Sequence, residues 1–329
     1  MKLRRFARPY GFSPSAPSRL NTQKGTLWKI TRRTSPLPDS GTYSSISKFL
    51  ASEFQRFGQN CRTARPPPIP MQSRIQHFVA QLPQLLPADW SLGNSGEPTL
   101  AVVIDTLRFT STVCVALQAG ADSVCVAAEV EAARTLASEL GIGSLLCGER
   151  LCHRIEGFQL GNSPFEYTPA AVAKRALVFS TTNGTRAVTA AEKARQVILA
   201  SLLNRAAIVD WIVASRYERV WFLCAGTDGQ IAAEDVLTAG AILSGCQARS
   251  SSTFLANDSA TIAVKLFESQ RDEFGGVSEK AIVKLLSEAA GGLNLIQSGY
   301  SRDLIAVAQL DTIATVPRNC PEHPTRFRS

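Results

Sequence analysis

From residue 99 onward, short apolar runs alternate with longer stretches in which apolar residues recur every three or four positions. The short runs are typical of buried strands, and the longer stretches are typical of helices. Strands that are apolar throughout and separated by helices indicate a parallel sheet with both faces covered. The sequence therefore predicts an α/β fold, with a mostly parallel sheet flanked by helices and a more helical C-terminal part.

The predicted strands cover residues 99–104, 123–127, 144–147, 176–180, 197–200 and 220–224. The predicted helices between and after them cover residues 110–119, 130–140, 164–173, 185–194, 204–214 and 234–246. Beyond residue 250 the pattern predicts helices over 258–267, 278–289 and 301–310, and a last strand over 312–316.

Polar side chains concentrate in short loops that each follow a predicted strand. These loops are residues 105–108, 148–150, 181–185 and 225–227, the last leading to Glu234 and Asp235. Ligands of open α/β sheets bind outside the carboxyl ends of the strands, so we expect the loops to meet at one rim of the sheet. They offer carboxylates, guanidinium groups, hydroxyls and backbone amides, which together suit an anion bound with a divalent cation.

The turn that precedes the helix predicted from residue 185 is the candidate anion site. A helix N-terminus presents unpaired amides at the positive end of its dipole. Gly184 permits a close approach of the backbone. Side chains able to hydrogen-bond an anion surround it: Thr181, Thr182, Asn183 and Thr185. The alternative is an ordinary helix cap, but a cap needs only one such residue.

Carboxylates that could hold a metal stand in or beside these loops: Asp105, Glu149, Glu234 and Asp235. Mg²⁺ usually takes one or two carboxylates, waters and phosphate oxygens, so we assign it to Asp105 and one of Glu234 or Asp235. Glu149 is then a general base or an outer partner of the site. Two plainer explanations stay open: Asp105 could form a surface pair with Arg108, and acidic residues at a helix start are favourable with its dipole.

Arg108 and Arg150 supply positive charge in two of the loops. Guanidinium groups bind phosphate, carboxylate or sulfonate in a bidentate manner, so we expect both to bind substrate. Asn162, in the loop over 157–164, is a further candidate for substrate binding. The sequence has no GxxxxGKS or GxxxxGKT motif, which excludes a P-loop nucleotidase. Leu107 replaces the second Asp of a DxD motif, so haloacid-dehalogenase chemistry is not supported.

The net charge of +8 comes from the N-terminal segment. Residues 1–70 hold 13 of the 35 basic residues but only two of the 27 acidic ones, which leaves 22 basic and 25 acidic residues for 71–329. A nucleic-acid role inferred from the basic pI would therefore rest on the segment alone. We expect no nucleic-acid partner.

Residues 1–70 also contain nine of the 17 prolines, and we predict a disordered extension there. Three explanations are open: a targeting segment, an arm that binds something acidic, or translation from a start codon upstream of the true one. Met71 is the second of two methionines and directly precedes the first foldable stretch, which favours the third explanation. Residues 71–329 are then the α/β domain.

No apolar run is long enough to span a bilayer, and the eight cysteines are scattered without a CxxC pair. Cysteines within apolar runs behave as small hydrophobic residues. We therefore predict a reducing, cytoplasmic location and no membrane partner. For the assembly, a homodimer is our working assumption.

The loops, taken together and in this order, resemble the 2-phosphosulfolactate phosphatase family. The matching strings are residues 103–108, 148–150, 157–164, 181–186 and 224–227 with Glu234-Asp235, followed by 291–295, 303–304 and 316–317. The resemblance implies a Mg²⁺-dependent phosphatase that converts 2-phosphosulfolactate to sulfolactate and phosphate. In organisms that make coenzyme M, this reaction is a biosynthetic step.

The chain departs from the family's pattern in three places. Gln159 stands where the pattern has Asp, Leu151-Cys152 replaces a glycine-rich continuation, and Phe109 stands where a small residue is usual. Two alternatives therefore stay open: a phosphatase acting on another small phosphorylated acid, and a catalytically inactive homologue that binds anions. Gln159, which removes a charge, favours the second. The sequence leaves open whether water attacks directly or through a phospho-enzyme.

Overall fold

The computed structural model describes residues 76–81, 99–215 and 217–329 of the 329-residue chain. The prediction for residues 1–70 concerns a segment outside the described residues. Within the described ranges, no helix is both long enough and apolar enough to cross a membrane.

The strands of the described residues form one sheet, and its 11 members are numbered in chain order. They are β1 Gln76–Gln81, β2 Leu100–Ile104, β3 Ser123–Val126, β4 Leu145–Arg150, β5 His153–Arg154, β6 Ala176–Ser180, β7 Gln196–Ala200, β8 Arg219–Cys224, β9 Thr253–Leu255, β10 Arg318–Cys320 and β11 His323–Arg328. Their order across the sheet is β5-β4-β6-β3-β11-β10-β7-β2-β8-β1-β9.

The α-helices of the described residues are also numbered in chain order. They are α1 Phe109–Gln118, α2 Val130–Leu140, α3 Pro169–Val172, α4 Gly184–Ala191, α5 Arg205–Ala214, α6 Ala233–Arg249, α7 Asp258–Glu268, α8 Glu279–Glu288, α9 Ala290–Gln297 and α10 Ser301–Val307. Side-chain caps fix three of the starts, because Thr168 accepts from the Ala171 N–H, Asn257 from the Ala260 N–H and Ser278 from the Ala281 N–H.

The sheet consists of two parallel groups joined by an antiparallel hairpin. One group contains β4, β6 and β3, and the other contains β7, β2, β8, β1 and β9. Between them, β11 pairs with β3 and β10 pairs with β7, both antiparallel. The α/β prediction is confirmed, but the sheet is mixed rather than mostly parallel. The hairpin strands lack an apolar run, and Phe327 is their only fully buried hydrophobic residue. The hydrophobic pattern of the sequence therefore did not predict them as strands.

Helices α1 and α4 pack on one face of the sheet, against both parallel groups. Their buried side chains share one core with residues of both groups, such as Val103 of β2 and Phe179 of β6. Helices α5, α6 and α7 cover the other face of the second group, and α2 covers the other face of the first group. Because α1 and α4 begin directly after β2 and β6, their N-termini lie at the ends of strands from both groups.

Three predicted elements differ from the structure. Residues 148–150, predicted as a loop, continue β4 because they pair with β5 and β6. The helix predicted over 164–173 is a 3₁₀ turn followed by α3, and Thr168 caps α3 between them. The strand predicted over 312–316 is not formed, since the Ile313 N–H donates to the carbonyl of Leu203, in a 3₁₀ turn, and the next strand begins later, at β10.

Candidate active site

A cavity of about 100 Å³ lies where β2, β6 and β8 end. Its lining includes Thr227, which follows β8, and six of the residues proposed from the sequence: Asp105, Arg108, Glu149, Asn162, Thr182 and Asn183. The loops that the sequence singled out therefore meet at one cavity.

Asp105 lies directly against the turn that opens α4. Its Oδ2 atom is 2.6 Å from the position that a Cβ atom would take on Gly184, so glycine is needed there to leave room for the carboxylate. Thr110 fixes the backbone, because the Asp105 N–H donates to Thr110 Oγ1 at 3.1 Å and the Thr110 hydroxyl donates back to the Asp105 carbonyl at 2.9 Å. The start of α1 thus holds this carboxylate at the cavity.

Thr181 and Thr185 bond to each other within the turn. The Thr185 N–H donates to Thr181 Oγ1 at 3.1 Å, and the Thr181 N–H donates to Thr185 Oγ1 at 2.9 Å. Thr182 and Asn183 instead line the cavity. The Thr182 Oγ1 is buried without a hydrogen-bond partner in the described part of the chain, and the Asn183 side chain makes no cap bond to α4. These two side chains are therefore available to a ligand.

Glu149 joins two walls of the cavity through both carboxylate oxygens. Its Oε1 accepts from the Thr182 N–H and its Oε2 accepts from the Cys152 N–H, each at 2.9 Å. Because each oxygen accepts from a backbone amide, this carboxylate sets the spacing of the two loops. That geometry suits a Glu149 that supports the loops around the site better than a Glu149 that acts as a general base.

Asp235 makes the equivalent link between the loops that follow β2 and β8. Its Oδ1 accepts from the Thr106 N–H at 2.8 Å, and its Oδ2 accepts from the Gly226 N–H at 2.9 Å. Burial raises the pKa of Asp235 to about 6, although both hydrogen bonds lower it. Asp235 is thus engaged with backbone and does not line the cavity.

Glu234 is buried without a comparable partner. Its Oε2 has no hydrogen-bond partner among the described residues. Its Oε1 is 2.2 Å from the position that a Cβ atom would take on Gly291, a residue of the cavity lining. Burial and the neighbouring charge of Asp235 raise the pKa of Glu234 to about 7. A buried carboxylate oxygen without a partner among the described residues fits a role in holding a ligand.

The four carboxylates are close enough to influence one another. Burial raises the pKa of Asp105 well above its ordinary value, and the negative charges of Asp235, Glu149 and Glu234 raise it further. The cluster is therefore electrostatically strained when all members are ionised, and a bound cation would relieve that strain.

The donor set of the cavity fits Mg²⁺. In the described ranges, no group of three or more His, Cys, Asp or Glu side chains is arranged to hold a metal ion. Mg²⁺ does not require one, because it usually keeps several waters and binds through one or two carboxylates and phosphate oxygens. Of the four carboxylates, Asp105 lines the cavity, whereas Glu234 does not line it but packs against Gly291, which does. Neither of these two accepts two backbone N–H bonds as Glu149 and Asp235 do.

The two candidate arginines lie in different surroundings. Arg108 lines the cavity and is only 2% exposed, and its Nη1 donates to Asp303 Oδ2 at 2.7 Å. The Arg150 guanidinium instead donates to Ser180 Oγ at 2.9 Å and to the carbonyl of Glu149 at 2.8 Å. The structure therefore does not bring Arg150 into the cavity lining.

Three residues at the site, Gly291, Asn294 and Asp303, lie in the matching strings 291–295 and 303–304 but were not predicted as site residues. The first two line the cavity, and Asp303 lies behind Arg108. All three belong to the helices α9 and α10, whereas the sequence predicted site residues only in and beside the loops that follow strands. The Gly291-Gly292 pair at the start of a helix was the available signal.

The three departures from the family's pattern lie in different places. Gln159 is exposed, bonds through Oε1 to the Leu146 N–H at 2.8 Å, and does not line the cavity. Leu151 and Cys152 do line it, and they form the two-residue turn between β4 and β5 with φ of 50° and 68°. Phe109 is buried and packs edge-on against Phe179. The lost charge at residue 159 therefore lies outside the cavity.

The fold and the cavity together define the class of protein, an α/β enzyme with an acidic cavity at the ends of its strands. Residues 85–320 match the sequence profile of the 2-phosphosulpholactate phosphatase family. The chain therefore belongs to the 2-phosphosulfolactate phosphatase family, a family of phosphoric monoester hydrolases.

Curated relatives cover most of the chain. A probable 2-phosphosulfolactate phosphatase of a Synechococcus strain is 36% identical over 250 residues, which cover 74% of this chain and 95% of the relative. One of Gloeobacter violaceus is 34% identical over 245 residues, covering 74% and 95%. One of Caldanaerobacter subterraneus is 36% identical over 218 residues, covering 66% and 86%.

Proposed function

We propose that this chain is a Mg²⁺-dependent phosphatase that hydrolyses 2-phosphosulfolactate to sulfolactate and phosphate. The observation that carries the proposal is the contact between the Asp105 carboxylate and Gly184 at the start of α4. It brings a candidate metal ligand and a candidate phosphate-binding turn within one van der Waals contact of each other. The names of the curated relatives support the same substrate.

The turn before α4 would bind the phosphoryl group. Thr182 and Asn183 offer side chains that lack hydrogen bonds in the turn itself. The unpaired amides at the start of α4 add partial positive charge, which favours an anion there. Thr181 and Thr185 keep the turn closed, and Glu149 fixes its distance from the opposite loop.

Asp105 and Glu234 would hold the metal, and Asp235 would keep the two supporting loops in place. The metal, when bound, would polarise a phosphoryl oxygen and offset the charge of the substrate. Asn162 would contact the substrate, because its Oδ1 is buried without a partner among the described residues and it lines the cavity.

The direct test is phosphate release from 2-phosphosulfolactate by the full chain, with Mg²⁺ or with a chelator. Asp105→Asn should lower kcat by about 10²- to 10³-fold, the usual effect of removing one group that stabilises the transition state. The variant should remain folded, because removing a buried charge relieves repulsion within the cluster. Near-normal turnover by Asp105→Asn, or full activity of the wild type in chelator, would refute the metal assignment.

The control is Asp311→Asn, which removes a carboxylate paired with Arg205 outside the cavity lining. This variant should keep wild-type kcat. If it loses activity as Asp105→Asn does, the loss reflects general damage to the fold and not the site.

A phosphatase acting on another small phosphorylated acid is the second candidate, favoured by Leu151 and Cys152 in the cavity lining. A panel of phosphorylated acids assayed at equal concentration separates the two candidates by kcat/KM. The inactive homologue loses its support, since Gln159 lies outside the cavity. Calorimetric binding of sulfolactate with no phosphate release from any substrate would restore it.

The assembly and the location complete the proposal. We propose a homodimer, which sedimentation can test, and a cytoplasmic location, favoured by scattered cysteines without a disulfide-like spacing. In an organism that makes coenzyme M, the proposed reaction would serve that biosynthesis.

A further inference from the structure

The cavity is lined by a single positively charged side chain whose orientation is fixed from behind. Among the described lining residues, Arg108 is the only Lys, Arg or His. Its Nη1 donates to Asp303 Oδ2 at 2.7 Å, and its Nη2 donates to the Cys152 carbonyl at 2.8 Å. The Tyr300 ring lies 4.3 Å from the guanidinium carbon. Contacts on two edges and one face hold the guanidinium plane in one orientation.

Asp303 is itself held in place. The Ser163 hydroxyl donates to Asp303 Oδ1 at 2.8 Å, so each carboxylate oxygen has one partner. Both Arg108 and Asp303 are only 2% exposed. A buried ion pair contributes little net stability, because desolvation of the two charges offsets their attraction. The arrangement is therefore better explained by orientation of Arg108 than by stabilisation of the fold.

Arg108 and the turn before α4 are separate binding elements of the cavity. The hydrogen bonds, ion pair and ring contact of the Arg108 side chain, within the described residues, involve Cys152, Tyr300 and Asp303 and no residue of the turn. The turn is instead tied to Glu149 and lies against Asp105. A ligand that carries two acidic groups can therefore use both elements.

We propose that Asp303 is a positioning residue, which orients Arg108 toward the second acidic group of the substrate and so selects phosphorylated acids over simple phosphate esters. The second group is a carboxylate or a sulfonate, since a guanidinium fork binds either. This inference rests on the proposed function, because it assigns the phosphoryl group to the turn.

The test measures binding by calorimetry in the presence of Mg²⁺, with sulfolactate and inorganic phosphate as separate probes. Asp303→Asn keeps the shape of the side chain but removes its charge. It should weaken sulfolactate binding by about tenfold or more, equivalent to about 1.4 kcal/mol, and leave phosphate binding unchanged. A merely structural role would weaken both equally. Equal losses, or unchanged sulfolactate binding, would overturn the proposal.

Ser163→Ala is the milder second variant, which removes one partner of Asp303 without disturbing the ion pair. It should reduce sulfolactate binding in the same selective way but by a smaller factor, and an equal loss for both probes would again contradict the proposal. Asp311→Asn, which removes a different ion pair outside the cavity lining, should bind both probes as the wild type does.

Steady-state kinetics then identifies the group that Arg108 binds. For 2-phosphosulfolactate, Asp303→Asn should raise KM with little change in kcat. The same comparison is made with 2-phospholactate, which lacks the sulfonate. An equal rise in its KM would mean that Arg108 binds the carboxylate, and an unchanged KM would mean that Arg108 binds the sulfonate. A loss of kcat alone for both substrates would count against a positioning role. Because binding is measured separately, absence of turnover in the wild type would refute the proposed function while calorimetry still decides this inference.

Discussion

The metal-free protein should lose stability as the pH rises, and Glu234 should account for much of the loss. Burial and the charge of Asp235 raise the pKa of Glu234 from 4.5 to about 7. The folded state therefore keeps a proton that the unfolded state has already released between these two values. The difference in pKa favours the folded state at low pH, and this advantage is lost as the pH rises. Above both pKa values, the free energy of unfolding is lower by about 3 kcal/mol than it is below both.

Glu234→Gln tests this directly, because the neutral side chain has nearly the same shape. Urea unfolding in chelator, measured between about pH 4.5 and 8, should show the wild type losing about 3 kcal/mol more than the variant. Mg²⁺ should reduce the loss in the wild type, since a cation favours the ionised carboxylates. Parallel pH profiles for the two proteins would refute the reasoning, because they would mean that Glu234 titrates alike in both states.

Two further predictions concern packing. Gly184→Ala would place a Cβ atom 2.6 Å from Asp105 Oδ2. It should lower kcat/KM by about tenfold or more and the free energy of unfolding by about 1–3 kcal/mol. The control is Gly245→Ala, whose Cβ would lie 2.8 Å from Val209 Cγ2, and it should lower the urea midpoint but not kcat/KM. Phe327→Ala should lower the free energy of unfolding by about 3–5 kcal/mol in a urea titration, whereas the exposed His323→Ala should not.

The sequence predicted the fold well where elements carry a strong apolar pattern. α2 matches its predicted range, and β2 and β6 agree to within one residue. The prediction was wrong where pairing with distant residues decides the structure. Residues 318–328 are mostly polar or charged and include Pro321 and Pro324, and they become strands only because β3 and β7 offer open edges.

The site was predictable at the level of loops but not at the level of individual roles. Asp105 and Thr182 follow strands and line the cavity, as the position of a ligand site in α/β sheets suggests. The roles of Glu149 and Asp235 depend on backbone amides far along the chain, at Thr182 and Thr106, which no spacing reveals. For the same reason the bond between Asp303 and Arg108, 195 residues apart, could not be predicted from the matching string 303–304.

The position of the β10–β11 hairpin has a consequence for how the protein is made. Among the strands of the sheet, these two leave the ribosome last, yet they stand between β3 and β7 in its middle. Until they emerge, the edges of β3 and β7 have no partner, and unpaired edges are templates for association with other chains. Changes in this hairpin should therefore reduce the yield of folded enzyme before they alter its catalysis.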